Sequence, residues 1–366
     1  MPQLLTQPVG QAAYPPVSLI IGGEHIGPQD RETLDVIDPA TRAVIGKLPR
    51  ATHADLDRAL ESAKRGFALW RDVSAFDRAR MLRRAADLVR ERADTIARWL
   101  TLEEGKPLAE SLQEVIHAAE IIEWAGEEGR RAYGRGVPSR RRDLTQLVVQ
   151  EPVGPVAAFA PWNFPAVTPA RKLAGALAAG CSIILKPAEE TPATALALAQ
   201  ALLDAGVPAD VVNIVTGDPA MISEHLIASP VIRKISFTGS TPVGKHLAAL
   251  AAQGVKRATL ELGGHAPVIV CDDIDDVRIA AQTSLTAKIR NAGQVCASPT
   301  RFFVQAGVYD EFVAHFSEAV RALRIGHGLH ESTEMGPLAN ERRLHAMGAL
   351  VSDAVDRGAT LVPTGT

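Results

Sequence analysis

The chain has 366 residues, 46% of them hydrophobic and 22% charged, with a formal net charge of −3, so it is long enough to bury one large or two medium cores. A charge this close to balance gives no general drive toward nucleic acid or an anionic membrane. Three cysteines, Cys181, Cys271 and Cys296, form no CxxC pair, which fits a reducing compartment rather than a disulfide framework.

The opening MPQLLTQPVGQAAYPP has no basic stretch followed by an apolar run, and the longest apolar stretch, near Leu173 to Leu185, is too short to span a bilayer. A cytoplasmic protein with no membrane partner is expected. From Val17 to Leu48 the runs SLII, TLDVID and AVIGKL alternate with Gly and Asp-Pro turns, which predicts antiparallel strands. Thr52 and Asp55 read as a capping box opening a helix, with Leu56, Ala59, Leu60, Ala63 and Phe67 along one face. One long helix is predicted over about Phe76 to Leu102, stopped by Gly105 and Pro107, and a third from about Leu108 to Arg131. Six arginines fall between Arg130 and Arg142. With no interleaved aromatics and Asp143 following, this stretch reads as a solvated hairpin rather than a phosphate site.

From Pro155 the runs VAAFAP, CSIILKP, VVNIVTG and IRKISFTG alternate with helical segments at about Pro169 to Ala179, Pro192 to Ala205, Ala220 to Ala228 and Thr241 to Gln253. Buried parallel strands joined by helices make a doubly wound α/β sheet, whose ligand crevice lies past the carboxyl ends of the strands. Those ends carry Pro161-Trp162-Asn163-Phe164-Pro165, Lys186-Pro187-Ala188-Glu189 and Gly239-Ser240-Thr241-Pro242-Val243-Gly244. The first presents a side-chain amide on a rigid turn, the second a charged pair suited to ribose hydroxyls. The third opens a helix whose free N–H groups suit a pyrophosphate. No GxGxxG fingerprint is present. A last strand, about Arg257 to Leu262, ends at Glu261, and Cys296 follows one strand and one helix later. A thiolate and a carboxylate facing one cavity suit covalent catalysis followed by activation of water.

In this order, PWNFP, KPAEETP, FTGSTPVG, ELGGHAP and NAGQVC resemble the NAD(P)-dependent aldehyde dehydrogenase superfamily, over essentially the whole chain. The resemblance implies that fold: a dinucleotide-binding domain over residues 1–132 and 155–260, a β-hairpin oligomerisation arm over 133–154, and an α/β catalytic domain over 261–366. It implies Cys296 as nucleophile, Asn163 and the Cys296 N–H as oxyanion donors, Glu261 as general base, and Lys172 on the base's proton path. Cofactor contacts are implied for Pro161, Trp162, Lys186, Glu189, Gly217, Gly239, Ser240, Gly244 and Leu262. A glutamate at the ribose position accepts from a 2'-hydroxyl and repels a 2'-phosphate, so NAD is favoured and NADP stays open. Within the family the nearest likeness is to the succinate-semialdehyde dehydrogenase branch, where Arg171 and Arg290 match a clamp on the substrate's distal carboxylate.

Two features depart from that pattern. Ser298 stands where some relatives carry a redox-switch cysteine, so no such disulfide is expected. The chain also stops early: TLVPTGT reads as a strand, and the catalytic domain is expected to be incomplete, with homo-oligomers formed by a full-length version. Oxoglutarate or glutarate semialdehyde as substrate, a fragment that only binds dinucleotide, and transfer of the thioester to coenzyme A stay open, although Glu261 favours water as acceptor. His327 and His330 flank Gly328 and Leu329 with no Cys or acidic cluster, so no metal site is read there.

Overall fold

The computed structural model describes residues 14–364. Met1 to Ala13, with most of the segment read above as lacking a leader, and Gly365 and Thr366 lie outside the described residues.

The predicted antiparallel start is present as β1 (Leu19–Ile21), β2 (Glu24–Ile26), β3 (Thr33–Ile37) and β4 (Val44–Pro49), with β1 paired to β2 and β3 to β4. Helix α1 (His53–Trp70) opens on the expected capping box: Thr52 Oγ1 accepts from Asp55 N at 3.2 Å and the Asp55 carboxylate accepts from Thr52 N at 2.9 Å. The single long helix expected over Phe76 to Leu102 is instead two, α2 (Ala75–Glu91) and α3 (Ala93–Glu104). The chain breaks at Arg92, whose φ of −103° and ψ of 6° lie outside the helical well. An unbroken apolar spacing hides such a break, because both pieces bury the same face. Helix α4 (Leu108–Gly129) follows, and then β5 (Arg135–Val137) and β6 (Gln146–Val148) form an exposed antiparallel hairpin in which Arg141 pairs with Asp143.

The alternating region contains β7 (Val156–Phe159), α5 (Val167–Ala178), β8 (Ile183–Lys186), α6 (Pro192–Asp204), β9 (Val212–Ile214), α7 (Pro219–Ala228), β10 (Lys234–Thr238), α8 (Thr241–Gln253) and β11 (Arg257–Glu261). The sheet order is β11-β10-β7-β8-β9-β1-β2. Strands β7 to β11 run parallel, and β1 joins β9 antiparallel. Strands β7 and β8 are buried at every residue, as strands covered on both faces must be. Alternation divides their side chains between two cores. Val156, Ala158, Ile183 and Leu185 face the core shared with α2 to α6, while Ala157, Phe159 and Ile184 face the one shared with α1, α7 and α8.

Beyond Glu261 come β12 (Ala266–Val270), α9 (Val277–Ile289), β13 (Pro299–Val304) and α10 (Tyr309–Ala322). Strands β12 and β13 pair in parallel as a separate sheet. One face packs Val268, Val270, Phe302 and Val304 on Ala281 and Phe312; the other leaves Ile269 and Phe303 exposed. Helix α11 (Glu341–Asp356) has no buried residue. The strand expected in TLVPTGT is absent: Thr360 to Thr364 is irregular, and Pro363 O accepts only a side-chain bond from Arg321, at 3.1 Å. Among the described residues no strand pairs with it, and an isolated extended segment does not hold itself as a strand.

Gly66, midway along α1, meets the loop before β9 so closely that an added Cβ would stand 2.2 Å from Asp210 O. Gly66→Ala therefore loses more by steric overlap than it gains in helix propensity. A net destabilisation of about 2 kcal/mol is expected in urea denaturation.

Candidate active site

The chain builds β7 first, then β8 and β9 to one side, and returns to lay β10 and β11 on the other. That reversal opens a crevice past the carboxyl ends of β7 and β10. Pro161 and Trp162 line it from the end of β7, Lys186 and Glu189 from the end of β8, and Gly239 and Ser240 from the end of β10. Ser240 is the N-cap of α8, and its side chain makes no capping bond among the described residues. The first-turn N–H groups and the positive end of a 13-residue helix are thus left for an anion. Lys186 is buried, donates to Pro187 O at 3.1 Å and pairs with the Glu189 carboxylate.

Three expected cofactor contacts lie elsewhere. Gly217 (φ 128°) packs on the backbone of Arg50 and Ala51, 3.0 Å from Ala51 N to an added Cβ, and stands outside the crevice lining. Leu262 rests on Gly244, where a Cβ would collide with its Cδ2 at 2.4 Å. These two form the wall behind the α8 N-terminus. The crevice also contains Arg342 of α11, which pairs with Glu190. Nothing in the sequence signals this contact, because the two residues are 152 positions apart.

The cysteine loop starts with three consecutive left-handed residues, Asn291 (φ 49°), Ala292 (φ 51°) and Gly293 (φ 77°). Two of the three carry a Cβ and resist that conformation. Hydrogen bonds hold the run in place. Asn291 N donates to Glu110 Oε2 at 2.9 Å, Gln294 N to Asn291 O at 2.9 Å, and Ala339 N to Gln294 Oε1 at 3.1 Å. The Asn163 side chain reaches this loop, donating through Nδ2 to Gln294 O at 2.8 Å. Two residues on, Cys296 is exposed. Its carbonyl lies 3.3 Å from where a Cβ on Gly264 would be, so the loop following Glu261 runs beside it. Asn163, Glu261 and Cys296 therefore belong to one neighbourhood. Cys181, in contrast, is buried, and burial raises its thiol pKa.

Lys172 is buried on α5 and donates to Thr238 Oγ1 at 2.9 Å and Ser236 Oγ at 3.3 Å. Burial, opposed by the Glu261 charge and assisted by Arg171, brings its pKa down to about 7. Arg290 lines a cavity of about 240 Å3 with Lys106, Glu110 and Phe164, and its guanidinium sits 5.3 Å from the centre of the Phe164 ring. Arg171 is exposed and outside that lining.

Beneath the Asn163 turn lies a polar cluster to which the sequence assigned no chemistry: Glu104, Lys106, Glu110, Glu114 and Asn291. The run LEEGKP is visible as a helix end, and its two glutamates and lysine look like ordinary surface charges until the fold buries them.

Residues 25–366 match the family described as Aldehyde dehydrogenase family. The chain is 49% identical over 341 residues to a 4-(hydroxymethyl)benzenesulfonate dehydrogenase of Comamonas testosteroni, covering 93% of this chain and 71% of that one. It is 43% identical over 346 residues to the succinate-semialdehyde dehydrogenase of Escherichia coli (strain K12) whose name specifies NADP(+), covering 94% and 71%. The crystal structure of succinate-semialdehyde dehydrogenase from Burkholderia pseudomallei superposes with a TM-score of 0.93 at 44% identity, covering 97% of this chain and 73% of that one.

The depressed Lys172 pKa has a signed consequence. Between about 7 and the ordinary 10.5 the unfolded chain holds a proton that the folded chain has released, so this group's penalty on stability shrinks as pH rises. Denaturation at pH 7 and pH 9 should show the stability of the unsubstituted chain increasing relative to Lys172→Met. A pH-independent difference would place Lys172 outside the buried environment described.

Proposed function

The chain belongs to the aldehyde dehydrogenase family, and from that premise we propose that it oxidises an aldehyde bearing a distal carboxylate, succinate semialdehyde or a close relative, to the acid. The observation that carries this proposal is the Asn163 side chain bonded at 2.8 Å to the loop that presents Cys296, beside the loop that follows Glu261.

The Cys296 thiolate adds to the aldehyde carbon, and the negative charge moves to the carbonyl oxygen. An amide nitrogen carries two hydrogens. One Asn163 N–H is committed to Gln294 O, and the other is available to that oxyanion. A donor so placed is worth about 3 kcal/mol in the transition state. A bound dinucleotide supplies the hydride acceptor; Lys186, Glu189 and the α8 N-terminus at Ser240 would hold it, and the uncapped N–H groups there fit a pyrophosphate. Loss of hydride from the adduct leaves a thioester on Cys296. Glu261 then takes a proton from water, whose oxygen attacks the thioester carbon, and the acid departs as the thiolate re-forms. Lys172, near neutral pKa and electrostatically coupled to Glu261, relays that proton. Glu189, which lines the crevice, would accept from a ribose 2'-hydroxyl and repel a 2'-phosphate, favouring NAD over NADP.

Arg290 supplies the substrate preference, because guanidinium pairs with carboxylate through two parallel bonds. A sulfonate offers similar acceptors, and the relative named for a benzenesulfonate keeps an aromatic sulfonate aldehyde as a second reading. We also assign residues 133–154 as an arm that assembles copies of a cytoplasmic enzyme, supported by the exposed Leu147 and Val149 on its hairpin. Residues 1–132 with 155–260 form the dinucleotide domain in this reading, and 261–366 belong to the catalytic domain.

Incubation with NAD and succinate semialdehyde should form NADH, and Cys296→Ala should form none; dinucleotide binding without NADH would contradict the proposal. Arg290→Leu should raise KM for succinate semialdehyde at least tenfold while leaving a neutral aldehyde of equal length within about twofold. Arg171→Leu, measured alongside, separates a one-arginine from a two-arginine clamp, and 4-formylbenzenesulfonate tests the second reading.

A further inference from the structure

The buried cluster beneath the Asn163 turn takes no part in the steps above, yet its bonds converge on one atom of that turn. Lys106, with no side-chain exposure, donates through Nζ to Glu114 Oε2 at 2.6 Å and to the main-chain carbonyl of Asn163 at 2.8 Å. It lies 4.2 Å from the centre of the Phe164 ring. Asn291 Nδ2 donates to the same Asn163 carbonyl at 2.8 Å. Glu114 anchors the other side of the turn through Oε1, accepting from Ala166 N at 2.8 Å and Val167 N at 3.2 Å. Glu104 Oε1 is buried without a hydrogen-bond partner among the described residues, and burial raises that carboxyl to about 8. The Lys106 Nζ stands 3.8 Å from Glu104 Oε2, so the short bonds of its ammonium go to Glu114 and the Asn163 carbonyl instead.

If Lys106 served only to join α3, α4 and α5, apolar side chains of similar volume would serve as well without desolvating a charge. An ammonium is needed where a particular acceptor has to be held. Resting on the function proposed above, we propose that Lys106 is a positioning residue: with Asn291 it clamps the Asn163 carbonyl and so fixes the direction in which the Asn163 amide meets an oxyanion on Cys296. The clamp acts on Asn163 from behind, and neither Lys106 nor Asn291 is assigned a contact with the reacting atoms.

Two reactions of the same thiol separate this role from general support of the fold. Acylation of Cys296 by p-nitrophenyl acetate develops a carbonyl oxyanion and needs no dinucleotide. Displacement of iodide from iodoacetamide occurs at a tetrahedral carbon and develops none. Lys106→Met should slow Cys296-dependent release of p-nitrophenolate by about thirtyfold, less than the roughly hundredfold or more that accompanies outright loss of one oxyanion donor because the amide is misdirected rather than removed, and leave alkylation within about twofold. Introduced into Asn163→Ala, the same substitution should add less than threefold, because both changes remove one interaction. Equal loss in the two reactions, no loss in either, or an undiminished further loss in Asn163→Ala would overturn the proposal. If circular dichroism shows Lys106→Met unfolded, Asn291→Ser, which removes the second donor to the same carbonyl, is judged by the same ratio. Failure of every aldehyde to yield NADH would count against the proposed function and leave this comparison intact.

Discussion

At the Asn163 turn, residues from distant parts of the described chain meet. Its carbonyl takes one hydrogen bond from Lys106 and one from Asn291, and its side chain gives one to Gln294. Each bond crosses a large interval of sequence, so the turn is defined by tertiary partners more than by its own prolines. What allows those partners to meet is β7. As the strand from which the sheet grows in both directions, it delivers Asn163 to the end of the sheet at which the α8 N-terminus and the Glu261 strand end also arrive, within reach of the cysteine loop.

The contrast between the crevice and the cluster under it is one of solvation. In the crevice, Ser240 and the α8 N-terminus are polar groups in contact with water, so an incoming anion replaces water without forcing a burial already completed. In the cluster, Lys106 and Glu104 are fully enclosed, Lys106 is paired with Glu114, and burial raises the Glu104 carboxyl. The first arrangement is suited to exchange of ligands. The second is suited to permanence.

Much of this was legible in the sequence because it depends on local chemistry. The capping box at Thr52, the buried runs of β7 and β8, and the Gly-Ser turn before α8 are dictated by neighbours within a few residues. So is the order of motifs that carries the family likeness. The break at Arg92 was not legible, since two helices sharing one buried face keep a single apolar period. Nor was the role of LEEGKP: Lys106 acquires its partners from residues 8, 57 and 58 positions away, and no spacing rule anticipates those meetings. The position of Gly217, outside the crevice lining and against Ala51, was hidden for a related reason. A glycine after a strand has the same appearance whether it makes room for a ligand or for the backbone of Ala51. The TLVPTGT strand failed because propensity proposes an extended segment, and only a pairing partner makes it a strand.

The left-handed run at Asn291, Ala292 and Gly293 also bears on how the protein is made. Much of what holds it lies earlier in the chain: Glu110 on α4 and the carbonyl of Asn163 both leave the ribosome more than a hundred residues before it does, while Ala339, which steadies Gln294, follows. A polypeptide emerging from its amino end can therefore assemble the mould before the loop is cast. The thiol of Cys296 is therefore set in place as one of the later events of biogenesis, and a nascent chain halted before residue 291 would contain Asn163 and the Lys106–Glu114 pair but not the loop that presents this thiol.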